Sequence, residues 1–392
     1  MTASSSTSPL ALAGGGTSTP TGLVPALAGL VAGLVIAFTA ATSGPTSAAD
    51  LESRQLITRI GMGSCVRQDR PQPIWDAVAR YRPDVFLMLG DNIYGDTADM
   101  EILRRKYALL ADNKGFAALR RTVPIIAIWD DHDFGADDAG REYPMRRGSQ
   151  QVFLDFFGVP ADSPLRRQEG IYRAVVAGPP GRRVQFICLD TRYHRSPPAA
   201  LPADERKLRG GRYRPTDDPS ATVLGAEQMA WLRRVLEEPA EVRIVLSSIQ
   251  FVFTGHHWEH WGNYPVERSR ILKLIRDSGA RGVIFVSGDR HAAEISRLPA
   301  GPDAVAYPLY DLTASSLNQA MPTGTSRDSN PLRLGPHQRG VNFGTIDIEW
   351  SDGEGVESAG VSLTLAIRDV AGGIVHAEHV SLADLTPAAA VP

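Results

Sequence analysis

The sequence predicts a layered α/β sandwich in one domain, with an antiparallel finish at the C-terminal end. From Gln55 to Val286, short apolar runs alternate with amphipathic stretches of helical period, which is the pattern of an α/β sheet. From Val341 onward, three apolar segments are separated by glycine-rich turns, a pattern typical of antiparallel strands. A chain of 392 residues is long enough to bury a substantial core.

The first half of the alternating region contains three strands and two clear helices. The predicted strands are Ile57–Met62, Val85–Leu89 and Val123–Ile128. A helix over Pro71–Tyr81 is expected because its apolar residues fall on one face. A second helix, ending near Ala111, is expected to begin at Thr97, a residue type that favours the N-cap.

The second half continues the alternation, and its first two strands are separated by Gly178-Pro179-Pro180-Gly181, which is expected to be a hairpin-like turn. Four strands are predicted here: Ile171–Val176, Val184–Leu189, Arg243–Ile249 and Gly282–Val286. Helices are predicted at Gln150–Phe157, Ala226–Glu238 and Val266–Ser278. The stretch Ser196–Ala221 is rich in Pro, Arg, Gly and Asp and is expected to be a surface loop. The antiparallel finish is expected at Phe343–Trp350, Val361–Arg368 and Val375–Val380.

The first 49 residues are predicted to be a signal peptide or an N-terminal anchor, followed by the folded domain at 50–392. An apolar stretch, Leu23–Ala41, precedes a tail of small residues in which Ala48 or Ala49 suits cleavage. Cleavage would give an exported protein, whereas retention would anchor the chain in a membrane, facing outward. Only a retained segment would give the chain a membrane contact.

Charge and cysteine content narrow the functional classes further. The net charge of −3 gives no reason to expect a nucleic-acid partner. Only Cys65 and Cys188 are present. If the protein is exported, a disulfide between them has to be considered. Cys188 lies inside an apolar strand, however, where a buried cysteine is an ordinary core residue.

Four polar signatures stand where predicted strands end, and they are the most informative feature of the chain. They are Gly63-Ser64-Cys65, Gly90-Asp91-Asn92-Ile93-Tyr94-Gly95-Asp96, Trp129-Asp130-Asp131-His132-Asp133 and Ser287-Gly288-Asp289-Arg290-His291. Ligands of open α/β sheets gather at the carboxyl ends of the strands. A thiol, several carboxylates and two histidines delivered there predict a polynuclear metal site.

The residue types suggest separate roles in such a site. Asp91 is expected to bridge two metals, because one carboxylate can span a metal pair. Asp131 is expected to be a metal ligand, and His132 to face either a leaving group or an anionic oxygen. Asp133 is expected to orient His132 from behind. Asp289 and His291 alternate along the chain and, on extended backbone, would point to the same site.

Cys65 would select a transition metal at its subsite, since a thiolate is a soft ligand. The carboxylates of Asp131 and Asp289 suit a hard divalent ion instead. The residues alone therefore predict an asymmetric pair of metals.

Taken together, the signatures resemble the alkaline phosphatase D family within the calcineurin-like metallophosphoesterases, over about Leu56 to Ile346. The resemblance implies a metallophosphoesterase-type sandwich that uses Fe³⁺ with Ca²⁺. It implies that Cys65 binds iron, that Asp91 bridges, and that Asp131 and Asp289 bind calcium. The family also uses a helical tyrosine on iron, and Tyr107 matches it best, although core packing explains Tyr107 equally well.

The chain departs from the broader superfamily in three places. The initial Asp-x-His is replaced by Gly-Ser-Cys, Asp131 stands where asparagine is usual, and Leu246–Gln250 contains no histidine. Three later histidines, His256, His257 and His260, lie in an aromatic loop that is expected to be a substrate-side lid. Arg192 and Arg290 are spare cations, for which surface salt bridges are the favoured interpretation.

The resemblance implies metal-dependent hydrolysis of phosphate monoesters or diesters, with a metal-bridging oxide or hydroxide as nucleophile. The alternative is a phospholipase C-like phosphodiesterase acting on lipid headgroups, which a retained anchor and the Trp258–Trp261 loop would fit. A third hypothesis is a non-catalytic binding protein. The joint presence of Asp91, Asp131, His132, Asp289 and His291 argues against the third, because a binding protein has no need of them.

Overall fold

A computed structural model describes Leu51 and residues 56–321, 329–351 and 360–387 as two packed β-sheets with helices on their outer faces. The strands are β1 Arg59–Gly63, β2 Val85–Leu89, β3 Ile125–Ile128, β4 Arg173–Ala177, β5 Val184–Cys188, β6 Val242–Leu246, β7 Val283–Ser287, β8 Ala293–Leu298, β9 Leu309–Ala314, β10 Arg333–Gln338, β11 Asn342–Glu349, β12 Ser362–Asp369 and β13 Ile374–Ser381. The predicted signal or anchor segment lies outside the described residues.

The α-helices connect these strands mainly in the alternating part of the chain. They are α1 Ile74–Tyr81, α2 Met100–Ala111, α3 Lys114–Thr122, α4 Asp131–Phe134, α5 Arg146–Phe156, α6 Ala203–Arg209, α7 Gly225–Glu237 and α8 Pro265–Asp277. Among the described residues, none of these helices combines the length and the apolar character needed to cross a bilayer.

The first sheet has the strand order β13-β12-β11-β1-β2-β3. β1, β2 and β3 run parallel, with Ile60 opposite Val85 and Phe86 opposite Ile125. β11 joins β1 antiparallel, and β12 and β13 continue antiparallel to the edge. The three predicted C-terminal strands are thus present and antiparallel, as the glycine-rich turns between them indicated.

The second sheet has the order β10-β8-β9-β7-β6-β5-β4. β5, β6, β7 and β9 run parallel, whereas β4, β8 and β10 are antiparallel to their neighbours. The sequence pattern did not indicate β8, β9 and β10. Several of their residues are polar and yet buried, such as Glu294, Asp311 and Thr313, so apolar periodicity could not reveal these strands.

Apolar packing joins the layers of the fold. β11 and β12 pack on β8 and β9 between the two sheets. On the outer face of the first sheet, Trp75 of α1 lies with its ring centroid 5.7 Å from Phe86 and 5.2 Å from Phe116. Large buried aromatic rings of this kind contribute much of the stability of a core.

Two local predictions are corrected by the structure. Helix α2 begins two residues later than expected, with Asp99 as N-cap: its carboxylate accepts hydrogen bonds from the backbone N–H groups of Glu101 at 2.8 Å and Ile102 at 3.2 Å. Thr97 instead accepts a bond from the N–H of Asp99. The predicted loop after Ser196 contains the short helix α6, in which no residue is buried, so it carries no apolar stripe that a sequence pattern could show.

Candidate metal centre

The carboxyl ends of strands from both sheets meet at one place. A single parallel bridge between Ser64, after β1, and Ser315, after β9, joins the sheets there. The backbone N–H of Val66 donates to the carbonyl of Asp91 at 3.0 Å, which ties the end of β1 to the end of β2. The four polar signatures are therefore gathered around one position, although they are up to 226 residues apart in sequence (Cys65 to His291).

Residues with left-handed backbone are concentrated at this position. Cys65, Asp91, Asp96, Asp289 and His291 have φ values of 58°, 50°, 45°, 64° and 52°. Such conformations are uncommon for residues other than glycine, and they cluster at functional sites where the surrounding structure holds them in place. The prediction of extended backbone for Asp289 and His291 is wrong, because the chain leaves β7 in a tight turn.

Cys65, Asp91 and His291 form the first potential ligand group. One ligand atom from each lies within 4.8 Å of the others. The Cys65 thiol is buried and donates to Asp91 Oδ2 at 3.4 Å. Burial, with the positive charges of His132 and Arg290 nearby, lowers the pKa of His291 to about 4, so its imidazole is neutral at physiological pH and able to bind a metal.

Asp91, Asp131 and His132 form the second group, again with ligand atoms within 4.8 Å of one another. Asp91 belongs to both groups. Within the described part of the chain, Asp91 Oδ1 and Asp131 Oδ1 are buried without a hydrogen-bond partner. Buried carboxylate oxygens of this kind need a cation or a donor, so this donor set fits a pair of metal ions.

The electrostatics of the protein alone also favour cations. Burial raises the pKa of Asp91 well above its ordinary value, and the nearby Cys65 and Asp131 groups raise it further. Burial raises the pKa of the Cys65 thiol to about 12, so a thiolate there requires compensating positive charge. Both cysteines are free and buried, so Cys65 is not engaged in the disulfide considered above.

Asp289 lies beside this cluster, but it is not a member of any of the three ligand groups found among the described residues, the third being Asp131, Asp137 and Asp138. Burial raises the pKa of its carboxyl to about 8, and Asp130 and Asp131 act in the same direction, against the lowering effects of Arg290 and Arg192. The charge of Asp131 thus acts on Asp289, and calcium binding by Asp289 stays a prediction.

His132 is held by Asp96 rather than by Asp133. Its Nδ1 donates to Asp96 Oδ1 at 2.7 Å, and its ring lies against Tyr94 with centroids 4.2 Å apart. Although burial lowers the pKa of His132, the bond to Asp96 and the charge of Asp131 raise it to about 9 overall. The imidazole is therefore cationic at neutral pH and can donate a proton.

Asp133 has a different task from the predicted one. Its carboxylate accepts hydrogen bonds from the backbone N–H groups of Asp130 at 2.7 Å and Asp91 at 3.1 Å. It also accepts bonds from the Asn92 amide and the Tyr107 hydroxyl. Asp133 points into the turn because it is at the third position of the short helix α4, so it fastens the ends of β2 and β3 together instead of reaching His132.

The structure places Tyr94, not Tyr107, at the first ligand group. The Tyr107 hydroxyl donates to Asp133 Oδ2 at 3.2 Å, and its ring packs on Phe156, which fits the packing alternative. The Tyr94 hydroxyl lies 2.8 Å from His291 Nε2 and also contacts the Cys65 thiol. Tyr94 follows Asp91 by three residues in the same turn, a spacing that could have indicated it.

Arg192 is buried in the centre of the site, so the surface interpretation is wrong. Its guanidinium lies 2.5 Å from Asp130 Oδ1 and 3.8 Å from Asp131 Oδ1. Burial alone would raise the pKa of Asp131, but Arg192 and His132 hold it below its ordinary value. The buried role of Arg192 was not predicted because its partners are distant in sequence.

The aromatic loop is not an open lid. His256, His260 and Trp261 are buried, and Trp261 Nε1 donates to Ser247 Oγ at 2.9 Å. Trp258 is the exposed aromatic residue of this loop. The loop is held in place because its polar groups bond to the ends of β6 and the following turn, an arrangement that composition alone does not reveal.

Comparison with known proteins shows the family to which the chain belongs. A sequence model described as "PhoD-like phosphatase" matches residues 62–343. The chain therefore belongs to the PhoD-like phosphatase family, which confirms the resemblance to alkaline phosphatase D. Alkaline phosphatase D of Bacillus subtilis (strain 168) is 22% identical over 250 residues, which are 57% of this chain and 41% of that protein. The chain thus matches less than half the length of that curated relative.

Solved structures share the fold. A structure of PhoD has a TM-score of 0.62 at 18% identity, covering 84% of this chain and 72% of that one. Purple acid phosphatase PPD1 from yellow lupin (Lupinus luteus) seeds has a TM-score of 0.54 at 11% identity, covering 84% and 54%. The predicted metallophosphoesterase-type α/β sandwich is thereby confirmed.

The two tyrosines give a matched test of this geometry. Tyr94→Phe is expected to weaken metal retention by about tenfold or more, because its hydroxyl bonds His291 beside Cys65. Tyr107→Phe removes one hydrogen bond to Asp133 and is expected to keep the metal. Elemental analysis of the two purified variants measures this. Loss of metal from Tyr107→Phe alone would restore Tyr107 as the ligand.

Proposed function

We propose that the chain is a metal-dependent hydrolase of phosphate esters. The observation that carries this proposal is that Asp91 belongs to two groups of potential ligands, one with Cys65 and His291 and the other with Asp131. His132 completes the second group as a cationic proton donor and not as a metal ligand. A shared carboxylate suits a metal pair that clamps a phosphoryl group. Membership of the PhoD-like phosphatase family supports the same reaction class.

The donor types support Fe³⁺ at one subsite and Ca²⁺ at the other. Cys65, with Tyr94 close by, offers soft and phenolic donors that suit iron. Asp131 and Asp289 offer hard oxygen donors that suit calcium. When bound, such metals would polarise the phosphoryl oxygens and lower the pKa of bound water, supplying the nucleophile.

Side chains of the protein would donate the proton and bind the negative charge of the substrate. His132 is cationic and is fixed by Asp96, so it can protonate the departing oxygen or hold a non-bridging phosphoryl oxygen. Asp133 contributes by fixing the backbone of Asp91. His291, as a neutral imidazole, is better suited to a ligand role beside Cys65 than to acid catalysis.

Phosphate monoesters or diesters are the proposed substrates, and export from the cytoplasm remains a prediction from the N-terminal sequence. The phospholipase C-like alternative finds little support in the described residues, because most of the aromatic loop expected to meet lipid is buried. Trp258 remains its one exposed aromatic residue.

Substrate comparison tests the proposal directly. The purified protein is expected to hydrolyse p-nitrophenyl phosphate or bis-p-nitrophenyl phosphate faster than phosphatidylcholine, and to lose this activity in EGTA because a calcium site is required. Readdition of calcium should restore turnover better than magnesium does. Absence of turnover on all three substrates with metals present would contradict the proposal, and faster turnover of phosphatidylcholine would favour the alternative.

The cysteines provide a second test. Cys65→Ser is expected to lose iron and turnover together, because a hydroxyl is a poor replacement for a thiolate. Cys188→Ser is the matched control, since Cys188 is equally buried but belongs to β5; it is expected to keep its metals and lose only stability. Iron retained at full turnover in Cys65→Ser would show that the ligand set is wrong.

A third test separates the two roles of His132. His132→Ala is expected to reduce turnover of alkyl phosphates by about a hundredfold or more while metal content is kept. If His132 protonates the leaving group, aryl phosphates will be affected less, because their leaving groups need little protonation. An equal loss on both substrate types would show that His132 binds a phosphoryl oxygen instead.

A further inference from the structure

Glu259 is a buried carboxylate in the aromatic loop between β6 and α8, where neither the sequence signatures nor the ligand groups include it. It is 3% exposed. Its Oε2 lies 2.7 Å from Arg192 Nη2, and its Oε1 contacts Arg195 Nη1. A carboxylate buried between two buried guanidinium groups is held firmly, because removing it would leave positive charge uncompensated.

The contacts of Arg192 connect Glu259 to one oxygen of Asp131. Arg192 Nη2 lies within 2.7 Å of both Asp130 and Glu259, but 3.8 Å from Asp131 Oδ1. That last distance is too long for a hydrogen bond. Among the described residues, Asp131 Oδ1 has no other hydrogen-bond partner, so it stays available to a cation.

The contacts of Arg195 connect Glu259 to the other oxygen of Asp131. Arg195 Nη2 donates to the carbonyl of Asp138. The backbone N–H of Asp138 in turn donates to Asp131 Oδ2 at 2.7 Å. Glu259 thus holds the arginine nearest to Asp131 Oδ1, and it also holds the arginine that bonds the Asp138 backbone, which in turn bonds Asp131 Oδ2.

We propose that Glu259 is a positioning residue that keeps Asp131 in place to bind metal, by holding Arg192 away from Asp131 Oδ1 and Arg195 against Asp138. This inference rests on the proposed function, in which Asp131 binds a cation. Without the charge of Glu259, Arg192 keeps its pair with Asp130 but loses the contact that draws Nη2 away from Asp131 Oδ1. Nη2 can then move toward that oxygen and compete with the metal for it.

Glu241 offers a control outside the site. It too is 3% exposed and lies between two arginines, Arg183 at 2.9 Å and Arg281 at 3.7 Å, although these arginines are partly exposed whereas Arg192 and Arg195 are buried. It directly precedes β6, Val242–Leu246, whereas the metal groups lie beyond the carboxyl ends of the parallel strands. Glu241→Gln therefore reproduces the loss of a buried ion pair without reaching Asp131.

The experiment compares metal retention in the wild-type protein, Glu259→Gln and Glu241→Gln. Each purified protein is dialysed against graded EDTA, total bound metal is measured by mass spectrometry, and the melting temperature of the metal-free protein is recorded. Glu259→Gln is expected to release its metal at about tenfold lower chelator, as for other groups that support a ligand. Glu241→Gln is expected to release metal as the wild type does, although both variants lose stability.

Equal release by the wild type and Glu259→Gln, or an equal shift in Glu241→Gln, would overturn the inference alone. If the wild-type protein binds no metal and hydrolyses no phosphate ester, the proposed function is wrong, and the inference fails with it. If Glu259→Gln does not fold, Glu259→Asp provides the test. Because it keeps the charge on a shorter side chain, a smaller loss of metal affinity is expected. Metal retention equal to that of the wild type would contradict the inference.

Discussion

The structure depends on the negative charge buried where the strands of both sheets end. The carboxyl groups of Asp91, Asp130, Asp131 and Asp133 are all almost completely buried. Taking an ion of this kind out of water costs several kcal/mol unless positive charge or hydrogen-bond donors compensate. Arg192 provides part of that compensation. The oxygens of Asp91 and Asp131 that lack a hydrogen-bond partner need further compensation, which bound cations can supply. The buried charge that is costly for folding is therefore also what makes this place a cation-binding site.

Close backbone approach is what brings these groups together. Gly90 has a φ of 97°, and a Cβ atom there would lie 2.6 Å from the Cβ of Asp130. At Gly288, a Cβ atom would lie 2.6 Å from Ser64 Oγ, across the boundary between the two sheets. A side chain at either position would separate the strand ends. The left-handed conformations of Cys65 and Asp91 persist because this packing, together with Asp133, determines their backbone.

Part of the support for the site comes from loops outside the four polar signatures. The loop after β5 delivers Arg192 and Arg195, and the aromatic loop delivers Glu259 between them. The turn after β2 delivers Asp96 to His132. A metallophosphoesterase fold can carry different functions. The reaction that such a fold supports therefore depends on these side chains and their charges more than on the order of its strands.

The sequence by itself determined the fold class, the C-terminal antiparallel strands and the identity of most groups at the site, because apolar periodicity and strand-end polar residues are local properties of the chain. It did not determine which group serves which partner. Asp133 accepts a hydrogen bond from the backbone of Asp91 while Asp96 holds His132, and Tyr94 contacts His291 whereas Tyr107 bonds Asp133. Only the tertiary structure decided these pairings, because side-chain direction at a left-handed turn and charge balance between distant loops depend on packing that no local pattern records.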